Sequence, residues 1–219
     1  MSLKKLGAAF GLVLLSVVAM PAAASASTIA FTCITNNTGT CSTFAGSFIG
    51  TATVVGNQLT ITVTNGGGGD GFIADVYVDA PGTGTGYALT SLVEPAGVDF
   101  SIDPPPVGNI PSGNTAVPTF TADFAANAEP PPSDNGVNPG ESVGLVFTLS
   151  GGQTQSTIDA LLASGDLRVG LHVQSLGTNN LSEALVSNGG GTTVPEPASM
   201  LLLGTGLLAV ARSRRRKTV

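Results

Sequence analysis

The chain has 219 residues, among them 30 Gly, 14 Pro, two Cys, one His and no Trp, with a formal charge of −6 at pH 7. Of its eight Lys and Arg, two stand near the start and five near the finish. Between them only Arg168 faces thirteen of the fourteen Asp and Glu, so the body carries a formal charge of −12. Such a body repels nucleic acid and anionic lipid, which excludes nucleic acid as a partner.

The first 26 residues read as a secretory signal, with Lys4 and Lys5 ahead of the apolar run "LGAAFGLVLLSVVAM" and the small residues "ASA". Cleavage is expected between Ala26 and Ser27, which makes the Sec machinery and signal peptidase the first partners. The apolar run is short for a full membrane span, which favours a signal over an anchor. Residues 27–187 then form one domain by length. Cys33 and Cys41, in "CITNNTGTC", bracket turn chemistry, and an exported chain meets an oxidising compartment. A disulfide across a hairpin is expected, contributing on the order of 2–3 kcal/mol.

The body reads as strands. In "GTATVVGNQLTITVTN", Leu59, Ile61 and Val63 alternate with Thr60, Thr62 and Thr64, and Gly56-Asn57 makes a hairpin turn. Further strands are expected in "FIADVYVD", "YALTSLV", "GVDFSID", "TFTADF", "SVGLVFTLS" and "LRVGLHVQS". The proline-rich segments 103–118 and 125–140 read as surface loops. One short helix is expected in "STIDALLASG", with Ser156 as cap, Asp159 completing a capping box and Gly165 ending it. Residues 188–193 read as a flexible linker. Many short strands so punctuated predict an all-β protein, a β-sandwich of Ig-like or jelly-roll type with one short helix. An N-terminal signal helix and a C-terminal transmembrane helix flank it.

Catalytic chemistry is not expected. His172 alternates with the apolar residues of its strand and falls on the outer face, and no G-x-S-x-G elbow is present. Asp75, Tyr77 and Asp79 share one strand face, and Asp99 and Asp103 another. Carboxylate pairs serve glycosidases and calcium sites, but these follow no calcium-loop pattern. The glycine run "NGGGGDG" lacks the Lys-Ser/Thr of a phosphate loop. With two Tyr and no Trp, the platforms that sugars stack on are scarce. The reading is therefore a non-enzyme with no cofactor and no metal ligands, a structural Ca²⁺ being the one inorganic ligand left open.

The end of the chain reads "VPEPASMLLLGTGLLAVARSRRRKTV". Its apolar run of 14 residues, 198–211, is about 21 Å long as a helix, against a hydrocarbon core of roughly 30 Å. Pro197 suits a first helical turn, Glu196 its positive end, and Arg212, Arg214, Arg215, Arg216 and Lys217 its negative end. Snorkelling of Arg212 lets the helix span. The positive-inside rule then leaves the basic tail in the cytoplasm and the acidic body across the membrane, as the signal peptide also requires.

This order of Pro195, Glu196 and Pro197, a short apolar helix and a basic tail resembles the PEP-CTERM sorting signal of Gram-negative bacteria. The resemblance implies recognition by exosortase, a membrane cysteine protease-transpeptidase, and cutting near the Pro195-Glu196-Pro197 motif. It also implies a setting of exopolysaccharide and biofilm production. The chain is thus expected to pass transiently through the inner membrane and end as a non-enzymatic surface or matrix protein, with exopolysaccharide as a partner. The alternative is a secreted glycan- or calcium-binding module held at the inner membrane by an uncleaved anchor.

Overall fold

The computed structural model describes residues 26–177, 179–187 and 189, and the backbone of 192–194. Except for Ala26, the expected signal helix lies outside the described residues, as do the expected transmembrane helix and basic tail. Among the described residues no helix is long and apolar enough to cross a membrane.

Leu59, Ile61 and Val63 are fully buried while Thr60, Thr62 and Thr64 stay half-buried, the period-two pattern read from the sequence. Their strand, β3 (Gln58–Asn65), returns against β2 (Phe48–Val55) through Gly56-Asn57, with Val55 opposite Gln58 and Gly56 at φ +62°. The far edge of β3 pairs with β8 (Ser142–Leu149), and β8 with β5 (Tyr87–Val93). On the other side of the core, β10 (Leu181–Ser187), β9 (Arg168–Leu176), β4 (Phe72–Asp79), β7 (Phe124–Ala128) and β6 (Phe100–Ile102) pair in that order.

The two sides meet at β1 (Ala26–Cys33), which pairs with β2 over residues 26–30 and with β10 over 31–33. Every ladder is antiparallel, in the order β5-β8-β3-β2-β1-β10-β9-β4-β7-β6. The strands at the two ends, β5 and β6, are joined by residues 94–99 and lie against each other without a ladder, so the sheet nearly closes on itself. The all-β class is as expected. Two separate sandwich sheets are not seen, because β1 changes partners midway and makes the sheet continuous. The final strand, β11 (Thr192–Val194), pairs with residues 26–28 on the edge of β1 away from β2. The expected linker thus gives its last two residues to a ladder.

The main core fills the inside of this sheet, with Leu59, Ile61, Ile73, Leu145, Phe147 and Leu171 inaccessible or nearly so. A second, smaller core lies outside it. The proline-rich segment after β6, expected as a surface loop, crosses the outer face of β4, β9 and β10. It buries Ile110, Ala116 and Phe120 against Tyr77, Ala125, Ala184 and Val186. Gly170 makes room: a Cβ there would stand 2.9 Å from the Ile110 side chain and 3.0 Å from the Phe120 ring. Covering of both faces explains why β4 is buried almost throughout rather than alternating.

The strand expected at "TFTADF" begins only at its last residue. Phe120 turns onto the outer face, the Ala80 N–H donates to Asp123 at 2.9 Å, and the Thr121 N–H donates to Asp79. The Ala-rich stretch after it forms β7 instead, since small side chains fit where both faces are covered.

Among the described residues three short α-helices are present where one was expected in the body: α1 (Cys41–Ala45), α2 (Pro132–Asn135) and α3 (Gln155–Ser164). The last is the predicted one, but its cap lies two residues earlier than expected. Thr154 and Thr157 form the capping box, so Ser156 and Asp159 fall inside the helix. Gly165 ends it at φ +78°, and Ile158 and Leu162 face the core.

Phe120→Ala is expected to cost about 3 kcal/mol, because the ring fills the second core and no neighbour can replace it. Urea unfolding of the body checks this; a loss under about 1 kcal/mol would contradict the second core.

Candidate functional site

Two kinds of candidate were read from the sequence, the acidic strand faces and the processing sites at the ends. The register of β4 against β9 sets Asp75 opposite His172, Tyr77 opposite Gly170 and Asp79 opposite Arg168. The shared face of Asp75, Tyr77 and Asp79 is therefore real, and each carboxylate meets a basic side chain. His172 Nδ1 lies 2.7 Å from Asp75 Oδ2. Arg168 donates to Asp79 and to the carbonyls of Pro118, at 2.6 Å, and Thr119, and its guanidinium lies 5.2 Å from the centre of the Phe120 ring. Arg168, the one cation of the body, staples the outer segment to the sheet. Burial, then the charges of Asp75 and Asp103, push the Tyr77 hydroxyl above its ordinary range, so it stays protonated.

On this face both β4 carboxylates are held by hydrogen-bonded partners on β9. Among the described residues no hydroxyl or thiol hydrogen-bonds His172 as a nucleophile would. Asp99 and Asp103 lie just beyond the two ends of β6, where their N–H groups donate to Asn135 and Ala125. Among the described residues no three His, Cys, Asp or Glu side chains converge as metal ligands.

Cys33 and Cys41 are joined, with Cα atoms 6.2 Å apart. The bond ties the end of β1 to the start of α1 rather than closing the expected hairpin. The loop between them is held from below by Glu183, 1% exposed, which accepts from the Thr35 hydroxyl and from the Thr38 N–H at 2.6 Å. Burial alone would raise the Glu183 carboxyl. The bonds from Thr35, Thr38 and Asn37 outweigh it and hold the group below its ordinary value. An acid isolated in the apolar stretch "LSEALVS" is the sequence signal that marks this residue.

The glycine run is likewise structural. Buried Asn65 donates to the carbonyls of Gly71, at 2.8 Å, and Val137, and accepts from Gly67 N–H. At Gly68 a Cβ would fall 1.6 Å from Ser47 Oγ, so the turn needs glycine for close approach rather than for phosphate.

The two ends are brought together. Ala26 and Ser27, the expected signal-cleavage pair, open β1 and stand opposite Val194 and Thr193 of β11. Ser27 is 1% exposed; its hydroxyl donates to Asp159 and accepts from Gln155, whose Oε1 accepts from the Val54 N–H at 2.7 Å. These contacts seat the first turn of α3 on β1 and β2. Pro195, Glu196, Pro197, Arg212, Arg214, Arg215, Arg216 and Lys217 lie outside the described residues.

Residues 193–216 match the PEP-CTERM protein-sorting motif, so the chain carries that motif, with Pro195, Glu196, Pro197 and the four arginines inside the match. The motif implies export, sorting at the membrane towards the cell surface, and exosortase as the processing partner. Comparison with curated proteins finds no match, and comparison with solved structures finds none.

The lowered Glu183 carboxyl stabilises the fold above its ordinary value of 4.5, and that contribution is lost as pH falls through the depressed folded value. Glu183→Gln is expected to flatten this acid limb of the stability curve. Glu183→Ala leaves the Thr38 N–H without a partner and should cost about 2 kcal/mol at pH 7. Denaturant midpoints from pH 3 to 7 check both; an unchanged acid limb in Glu183→Gln would contradict the assignment.

Proposed function

We propose that the chain is an exported, non-enzymatic surface or extracellular-matrix protein of an exopolysaccharide-forming cell. It starts at Ser27 after signal cleavage, pauses at the inner membrane, and is cut near Pro195-Glu196-Pro197 by exosortase. The observation that carries this reading is the sorting-motif match at 193–216, which begins within β11 of an acidic, disulfide-bonded β domain. The marginal length of the apolar run suits a temporary stop that holds the motif at the membrane surface. A body of formal charge −12 with no Lys stays soluble in a hydrated polysaccharide matrix.

A second reading, a binding module for glycan or calcium, is favoured by one feature. A cleft of about 430 Å³ opens between the end of α3, residues 115–118 and β10, with Thr32, Thr115, Ser164 and Ser187 in its wall. Titration of the body with Ca²⁺ or soluble exopolysaccharide checks it: a raised melting temperature supports binding, and an unchanged one removes it.

Glu196→Ala is expected to abolish processing, so that the full-length protein accumulates in the membrane fraction and surface yield falls at least tenfold. Unchanged surface yield and processed mass would overturn the sorting reading.

A further inference from the structure

We propose that β11 is a latch on the sorting motif: residues 192–194 must peel from β1 before the processing protease engages Pro195-Glu196-Pro197. The inference rests on the exosortase reading above and concerns how the fold controls that step.

The matched motif begins at Thr193, yet β11 runs to Val194, so Thr193 and Val194 belong both to the motif and to the folded body. Their ladder partners are Ser27 and Ala26. Pro195 follows the last paired residue with no spacer. An extended chain advances at most about 3.6 Å per residue, which keeps Pro197 within roughly 11 Å of the β1–β11 rung. A body of this length has a radius of gyration of about 15 Å, so in the latched state it stands against the membrane face where the protease must close on its substrate.

Backbone chemistry points the same way. A protease cleft reads an extended peptide through main-chain hydrogen bonds, as an added strand. Pro195 and Pro197 have no N–H to offer. The nearest donors besides Glu196 are therefore Val194 and Thr193, in the strand that β1 holds. Detachment of β11 is also local. It comprises three residues, and β1 keeps β2 over 26–30 and β10 over 31–33 when β11 leaves. The rest of the sheet need not open.

The test is a crosslink across the latch. Thr28 and Thr192 face each other in the ladder. Directly opposed antiparallel residues have Cα atoms about 4.5–5.5 Å apart, inside disulfide range. In producing cells, the Thr28→Cys/Thr192→Cys chain should be processed at least tenfold more slowly than wild type, while each single variant is processed normally. An eight-residue Gly-Ser spacer inserted between Val194 and Pro195 should restore processing of the crosslinked chain. Thr192→Pro, which places a proline in β11 opposite Thr28 and outside the matched motif, should weaken the ladder and speed processing. Wild-type processing of the crosslinked chain would overturn the latch, as would a block that the spacer fails to relieve. Glu196→Ala, run alongside, separates the two ideas: if it too is processed normally, the sorting reading fails, not the latch alone.

Discussion

β1 carries backbone hydrogen bonds along both edges, to β2 over residues 26–30, to β11 over 26–28 and to β10 over 31–33. That double pairing makes one continuous sheet out of two halves. It also decides where the functional ends emerge. The strand that begins the mature chain in our reading is the one on which the last strand ends. In our reading the signal-cleavage pair and the first residues of the sorting motif therefore lie side by side in one ladder.

The remaining polar groups support this arrangement. Arg168 uses its charge to hold the outer segment onto the sheet through Asp79 and two carbonyls. Glu183 and the disulfide fix the loop beyond β1, and Ser27, Gln155 and Asp159 seat α3 at its start. Buried polar groups of this kind are tolerated only where partnered. Here their partners lie on segments that would otherwise be free loops. In a chain with few aromatics they take over part of the ordering that larger apolar side chains supply elsewhere.

Much of this was legible in sequence where one face of a strand is wet. β2, β3 and their turn follow from alternation and Gly56-Asn57, and Gly165 marks the end of α3. Legibility fails where both faces are covered. β10 shows no alternation because a second core lies outside it, and β7 is built of small residues with weak strand preference. β1 alternates, as Ile29 and Phe31 against Ala30 and Thr32, but the apolar, Ala-rich stretch before it blurs where the alternation starts. The proline-rich segment has the composition of a surface loop, yet Ile110 and, just after it, Phe120 are buried in the second core. Of the candidate site, the sorting motif was plain from the order of its parts. Its proximity to the first strand was not, since pairing across more than 160 residues leaves no local mark.

The most direct test of the account is the intact mass of the protein recovered from each fraction of the producing cells. The account predicts a species outside the inner membrane that begins at Ser27 and ends near Pro197, with the Cys33–Cys41 bond in place. A mass running through to Val219, found only in the membrane fraction, would contradict it and make the body a permanently anchored domain.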